Sequence, residues 1–339
     1  MKSTVTSVLF FISIALSTLS MAQKTYPTFG KIIYEDSSLE KLLPKDSKVE
    51  VLASGFDWAE GPVWVKDGNF LLFSDVPRNV IYRWDEKEGL KEFLRPSGYT
   101  GLGYYSDEPG SNGLTIDDQG RLISCEHGDR RISAMSLTVG GKVTLADNYQ
   151  SKRLNSPNDI VQHAGNKNYY FTDPPYGLNK KQDDPSREIK EFGVYRVGKD
   201  GKVIQIIKNL SRPNGLAFSP DGKILYVAQS DPESAIWMSY PVLADGNVGE
   251  GKLLYDATKM TKAGVRGLPD GFKVDVSGNI WSSGPGGLLI ISPQGKLLGR
   301  IEIPELTSNC GWGNDGTTLY LTVDSYICRI KTATKGAGW

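Results

Sequence analysis

The sequence predicts an all-β fold, a six-bladed β-propeller, on three observations. First, one motif returns six times: a polar residue close to Pro or Gly, an apolar strand, a turn and a second apolar strand. Its opening residues are Glu60, Asn112, Asn158, Asn214, Asp270 and Asn309, set 39 to 56 residues apart. A period in that range, with one small sheet per unit, is the mark of a propeller or a related repeat array. Second, 38 Gly, 18 Pro, 16 Tyr and 7 Trp suit many short strands joined by tight turns. Third, no segment carries the 3.6-residue apolar stripe of a long core helix. Each opening residue holds the same place in its repeat, so all six are expected around one axis at one end of the ring.

The chain begins with a segment outside that pattern. Lys2 supplies a positive start, Val8 to Leu16 an apolar stretch, and Ser20-Met21-Ala22 the small residues that cleavage requires. The apolar run is short of the roughly 20 residues a spanning helix needs. Residues 1–22 therefore read as a signal peptide, with an uncleaved anchor as the alternative. The expectation is a periplasmic or secreted protein with no stable membrane insertion after cleavage. Residues 23–48 are a lead-in, 49–332 the propeller and 333–339 a C-terminal tail.

Within the lead-in, Asp36 to Pro44 predicts a short helical turn, with Ser37 as N-cap and Glu40 closing a capping box. Val49-Glu50-Val51-Leu52 begins with alternation and reads as a strand that has no partner in blade one. Blade six is a strand short, so the Val49 strand is expected to complete it from outside. That closes the ring and removes an unpaired edge.

Blade one follows from Glu60 through Phe70–Ser74, Asn79–Trp84 and Leu90–Phe93. A loop rich in Gly and Tyr, Pro96 to Tyr105, leads to blade two, whose second and third strands are joined by the polar run Glu126-His127-Gly128-Asp129-Arg130. Blade three has Tyr169–Thr172, Gly193–Arg196 and Val203–Ile207, interrupted by a charged insertion from Lys180 to Lys190. This insertion has no apolar face and is expected to hang over one end, as a lid or as a solvated loop. Blade four is the plainest, with the turn Ser219-Pro220-Asp221-Gly222 after its first strand. Blade five repeats it from Gly271, preceded by a loop, Lys259 to Arg266, that can reach over the axis. Blade six runs from Asn309 through Leu319–Thr322 and Tyr326–Ile330.

Acidic and basic side chains balance at 39 each, which gives no reason to expect a nucleic-acid or polyanion partner. Three cysteines cannot all pair. Cys310 and Cys328 fall in one blade and are the candidate bridge, against the plainer reading of three small buried side chains. No Cys/His cluster suggests structural zinc.

The six opening residues carry the chemistry. Two carboxylates and four carboxamides around one point make a ring of oxygen donors, which suits a hard cation such as calcium or magnesium. The plainer alternative is that Asn and Asp stitch blade turns. That alternative is weakest for Glu60, because glutamate has no special turn role and is rarely buried without a partner.

The motifs Glu60-Gly61-Pro62-Val63-Trp64, Pro157-Asn158-Asp159, Arg212 to Gly222 and Pro269-Asp270-Gly271-Phe272 resemble those of the SMP-30/gluconolactonase/LRE-like family. The likeness runs from about Val49 to Lys331, with the motifs in family order. It implies a six-bladed propeller with one divalent cation in its central channel, calcium first, with magnesium, manganese or zinc as alternatives. By matching motifs it places metal ligands on Glu60, Asn214 and Asp270, and a residue contacting metal or substrate on Asn158. Animal members have an arginine where this chain has Ser156, and Arg153 is the nearby substitute. The stretch Glu126 to Arg131 resembles the bacterial gluconolactonase-like branch.

The activity so implied is metal-dependent hydrolysis of a sugar lactone to the aldonic acid, with Asp270 as catalytic base. His127 is the second candidate base, since histidine titrates near neutrality. Asn158, Asn112, Arg153 and His127 are the expected substrate contacts, with Tyr104, Tyr105 and Tyr176 as walls. His163 is expected away from the axis. Related lactone or organophosphate hydrolysis and a non-catalytic secreted binding propeller are the alternatives. The expected partner is a small lactone, without nucleic acid, and the chain is expected to be a monomer.

Overall fold

The computed structural model describes residues 24–339, so the signal segment 1–22 lies outside the described residues. Six antiparallel sheets follow one another along the chain and close into a β-propeller. Their first strands, Ala59–Val65, Ser111–Ile116, Ile160–Gln162, Pro213–Phe218, Phe272–Val274 and Thr307–Gly313, adjoin the first strands of neighbouring blades and line the channel.

The ring closes as the sequence predicts. Val49–Ser54 pairs antiparallel with Tyr326–Lys331, and the pairing sets Glu50 opposite Arg329. Arg329 Nε donates to Glu50 Oε2 at 2.6 Å, so an ion pair fastens the seam. The lead-in does more than precede the ring. Thr28–Phe29 adds a fifth strand outside Val49–Ser54, and Lys31–Tyr34 adds a fifth strand to blade five, beside Leu297–Glu302.

Between those strands and Val49, the expected helical turn is a 3-10 helix, Ser37–Lys41, and its cap is Asp36 rather than Ser37. Asp36 has extended backbone and its Oδ1 accepts the Ser38 N–H at 2.8 Å. A carboxylate one residue earlier reaches the free amide that a capping serine would have served.

Large side chains fill the spaces between blades. Trp237 of blade four donates from Nε1 to Ser282 Oγ of blade five at 2.8 Å. Trp281 of blade five meets Trp312 of blade six edge to face, with centroids 5.4 Å apart. Tyr320 of blade six stacks on Trp64 of blade one at 5.2 Å. Each such ring removes large apolar area from water, and Trp312 Nε1 is buried with no partner among the described residues. The joints between blades are the core.

The predicted Cys310–Cys328 bridge does not form, and all three cysteines are free and buried. Cys310 lies opposite Leu321, and Leu321 opposite Cys328, so a whole strand separates the two thiols. Two strand spacings are about 10 Å, beyond the reach of a disulfide.

Close packing at the top of the channel decides where glycine must follow the opening residue. Gly61 has φ +54°, and a Cβ there would lie 2.2 Å from the Asn112 carbonyl oxygen. A Cβ on Gly215 would lie 2.3 Å from the Asp270 carbonyl oxygen. Blades one, two, four and five thus press this glycine against the next blade's opening residue, and blade six has Cys310 in that position. Blade three departs from this, with Asp159 in the glycine position.

Candidate metal and active site

All six opening residues stand at the head of an inner strand, and the ring order follows the chain order. Serines at the ring end, Ser74 and Ser283 on second strands and Ser308 on a first strand, sew these backbones together. Ser74 Oγ donates to the Asn112 carbonyl at 2.9 Å, Ser283 Oγ to the Gly271 carbonyl at 2.9 Å, and Ser308 Oγ to the Ala59 carbonyl at 2.7 Å. Behind Asn158, the buried Asp173 accepts the Asn155 and Ser156 amides at 2.8 and 2.9 Å and fixes the turn that presents it.

The side chains are linked around the ring. Asn112 Nδ2 donates to Asn158 Oδ1 at 3.0 Å, and Asn158 Nδ2 to Asn214 Oδ1 at 2.7 Å. Across the seam, Asn309 Nδ2 donates to Glu60 Oε2 at 3.2 Å, and the Gly61 amide reaches the same oxygen at 2.9 Å. Glu60 Oε1 receives no hydrogen bond from the described residues, while the Asn214 side chain and the Gly271 amide lie against the Asp270 carboxylate. Asn112 Oδ1 is buried without a partner.

Electrostatics mark the same atoms. Burial pushes the Glu60 carboxyl up to about 7, with the Asp159 charge adding to it, while Gly61, Asn309 and Lys273 pull it down. Asp270 is pushed well above the usual carboxylate range by burial and then by Glu60 and Asp159. Asp270 remains partly open to solvent, so the repulsion from its neighbours weighs heavily in that direction. Two carboxyls that oppose each other's ionisation are what a cation between them would relieve.

The donor set fits a hard divalent cation: two carboxylates and a carboxamide oxygen, with Glu60 Oε1 free of protein donors among the described residues. Among the described residues no group of three or more His, Cys, Asp or Glu is placed to hold a metal. The ring supplies two carboxylates and completes the set with amide oxygen, which favours calcium or magnesium over zinc.

His127 is fully buried. Its Nδ1 lies 3.2 Å from the Glu108 carbonyl, so Nδ1 carries the proton and donates. Nε2 is left as a buried acceptor with no partner among the described residues. Burial, then Lys181, hold the imidazole down to about 4, so it is neutral at ordinary pH. The 3.9 Å approach of the Glu108 carboxylate is therefore not an ion pair. Tyr176 OH is likewise buried and unpartnered among the described residues, and its pKa is raised by burial and by Asp270.

Several expected residues stand elsewhere. Arg153 is exposed, on a two-residue strand outside the blades, and its Nη2 donates to the Asp129 carbonyl at 3.2 Å. The buried guanidinium on this side is Arg130, whose Nε donates to the Leu154 carbonyl at 2.6 Å. Tyr104 is 71% exposed and Tyr105 stacks on Tyr99, which leaves Tyr176 as the tyrosine beside Asp270 and Asn214. The Lys180–Lys190 insertion is anchored rather than free: Arg130 Nη1 donates to the Ser186 carbonyl at 3.0 Å, and Lys181 pairs with Glu108 at 3.5 Å. The loop before blade five contains a short helix, Thr258–Lys262, tied to the Pro232 carbonyl through Thr261. His163 is away from the axis, at 2.9 Å from the Gly222 carbonyl.

Sequence reasoning missed Asp159, Lys273 and the orienting role of Asn309. Asp159 had a signal, since it breaks the pattern of glycine after the opening residue. A cavity of about 800 Å³ among the described residues is not at this ring. It opens at the far end of the channel between Trp64, Phe70, Ile116, Trp312 and Trp339. Donor chemistry, not volume, locates the site.

The comparisons with known proteins agree with this architecture. Residues 58–325 match the SMP-30/Gluconolactonase/LRE-like region. A gluconolactonase from Zymomonas mobilis is 40% identical over 316 residues, 91% of this chain and 88% of that protein. The solved gluconolactonase from Xanthomonas campestris superposes with a TM-score of 0.77 at 29% identity, covering 91% of this chain and 99% of that one. Regucalcin from Bos taurus is 27% identical over 81% of this chain and 86% of its own length. With its propeller, its oxygen ring and these matches, the chain belongs to the SMP-30/gluconolactonase/LRE-like family.

Proposed function

We propose that this protein hydrolyses sugar lactones of the glucono-1,5-lactone type, using one divalent cation, calcium first, held by Glu60, Asn214 and Asp270 with Asn158 beside them. The observation that carries the proposal is the pair of carboxyls Glu60 and Asp270, which share one channel mouth and oppose each other's charge. A ligand-binding propeller has no need of such a pair. The gluconolactonase relatives give the substrate class.

A cation bound there supplies Lewis-acid polarisation of the lactone carbonyl. The protein's own groups do the rest. Asn112 and the neutral His127 Nε2 orient the sugar hydroxyls, one as an amide and one as a fixed acceptor. Tyr176 closes the wall beside Asp270. Asp270 takes a proton as water adds to the carbonyl carbon. The ring C–O bond then breaks, and the departing ring oxygen receives that proton, giving the open hydroxy acid. Export through residues 1–22 and a monomeric state complete the proposal. N-terminal sequencing and sedimentation of the secreted chain test these two.

The test of the reaction is turnover of glucono-1,5-lactone by the mature protein after chelation, then with calcium, magnesium, manganese or zinc restored. Activity is expected to vanish on chelation and return with metal. Glu60→Gln and Asp270→Asn are each expected to lose at least about a thousandfold, since each removes a group acting on the transition state. A protein that binds the cation, keeps its fold and turns over no lactone would overturn the reaction.

A further inference from the structure

The channel holds one more carboxylate and one ammonium that the proposed reaction does not use. Asp159 is 2% exposed. Its Oδ1 accepts the Ile160 amide at 2.9 Å, and its Oδ2 has no partner among the described residues. It replaces the glycine that follows the opening residue in blades one, two, four and five, so it brings a charge where its neighbours bring none.

Lys273 lies three residues after Asp270, on the inner strand Phe272–Val274. It lines the far-end cavity, while its Nζ donates to the Phe272 carbonyl at 3.1 Å and to Asn309 Oδ1 at 3.5 Å. Lys273 therefore reaches from the apolar chamber toward the oxygen ring, where Asn309 in turn holds Glu60. The field runs the same way. The Lys273 ammonium lowers the Asp159 and Glu60 carboxyls, and the Asp159 charge raises those of Glu60 and Asp270.

We propose that Lys273 and Asp159 form a built-in charge pair beneath the ring that sets the strength of the Glu60–Asn214–Asp270 site for its cation, without either residue touching substrate. The pair rests on the metal site proposed above. Lys273 repels an incoming cation and Asp159 attracts it. The two carry opposite sign in a channel of low dielectric, so their effects on the ring oppose each other. The arrangement gives the site two carboxylates' worth of attraction, although three carboxylates face the channel. Asn309 keeps its orientation without Lys273, because its Oδ1 also accepts the Cys310 amide at 2.8 Å. Truncating Lys273 thus reads out charge.

The experiment is calorimetric titration of the metal-free mature chain with calcium at fixed ionic strength. Lys273→Met is expected to tighten binding about tenfold or more, and Asp159→Asn to weaken it about tenfold or more, as charges acting through a channel of low dielectric require. The double variant is expected within about threefold of the parent, and Lys273→Arg, which keeps the charge, is expected to match it. If both single variants move affinity the same way, or the double variant fails to return, the two residues are only packing and the proposal falls. A parent chain that binds no cation overturns both this pair and the site it serves. Cation binding with the expected pattern but no lactone turnover leaves the pair standing and removes only the reaction.

Discussion

The two ends of the channel are made by the same six inner strands, yet they are built to opposite rules. At the ring end, the strands begin with buried amides and carboxyls, and some of their oxygens have no protein partner. At the far end, the same strands carry Val63, Trp64, Ile116 and Trp312, and the chain's last residues close over them. There the Val276 amide bonds the Lys335 carbonyl and the Ala337 amide bonds the Val274 carbonyl, each at 2.9 Å. Lys66 Nζ lies 3.9 Å from the Trp339 ring centroid. The ring end leaves oxygen acceptors unmet, whereas the far end removes apolar surface from water and leaves a donor, Trp312 Nε1, unmet. The far-end hollow is a product of packing, while the ring end, with opposed carboxyls and an unmet amide oxygen, is where a cation has something to supply.

Substitution at the two ends separates these roles most sharply. Glu60→Gln and Asp270→Asn are expected to lose lactone turnover by at least about a thousandfold, while the metal-free protein melts no lower than the parent. Each removes a carboxyl whose ionisation its neighbours oppose in the metal-free fold. Trp312→Ala at the other end is expected to do the reverse. It opens a hole beside Trp281 and costs about 3 to 5 kcal/mol in stability, while kcat at a temperature where the variant is folded stays within about threefold of the parent. Thermal melts and initial rates on the same samples check both. A Trp312 variant that melts normally but turns over no substrate would break the division of labour.

A pH series sharpens the same contrast. Glu60 has a raised pKa, about 7 in the fold against 4.5 for a free glutamate. Between those values the folded state binds more protons than the unfolded one, so stability falls as pH rises through the window. Asp173, pushed up to about 7 by burial, acts in the same direction. His127, held down to about 4, acts in the opposite one, gaining stability as pH rises from about 4 towards its unfolded value. The difference between parent and Glu60→Gln isolates the glutamate. The melting temperature of the metal-free parent is expected to drop by a few degrees more than that of Glu60→Gln from pH 5 to 7.5. Saturating calcium, which favours ionised Glu60, is expected to erase that excess.

The ring and its six opening residues were legible because propeller repeats restate themselves. Six motifs at similar spacing fix both the fold and the place of each motif within it. The seam was legible for a related reason: Val49 was a strand without a partner and blade six was a sheet without its last strand. Residues whose role comes from a neighbouring blade were not legible. Nothing near Lys273 in sequence says that its ammonium meets Asn309, which begins the next blade. Arg153 and Arg130 show the limit from the other side. Both lie near the motifs, and only the fold decides that Arg130 turns inward under Leu154 while Arg153 stays in solvent. The cap at Asp36 shows a smaller limit, since three adjacent cap-forming residues, Asp36, Ser37 and Ser38, leave the start of a short helix open by one position.

The three thiols give the smallest expected effect and a strict one. Cys125, Cys310 and Cys328 each have no measurable exposure. Burial pushes Cys310 up to about 12 and raises the other two as well, so none offers thiolate to a reagent at neutral pH. The folded protein is expected to react with none of an aromatic disulfide reagent over minutes, and the protein in denaturant with all three thiols. Strand order makes the second number firm, because Leu321 stands between Cys310 and Cys328 in the sheet. A count of one thiol in denaturant would mean that two of them had paired, which the blade-six register forbids unless Thr318–Val323 leaves its place. Such a result would unseat the strand order that brings Asn309 to Glu60, and with it the ring itself.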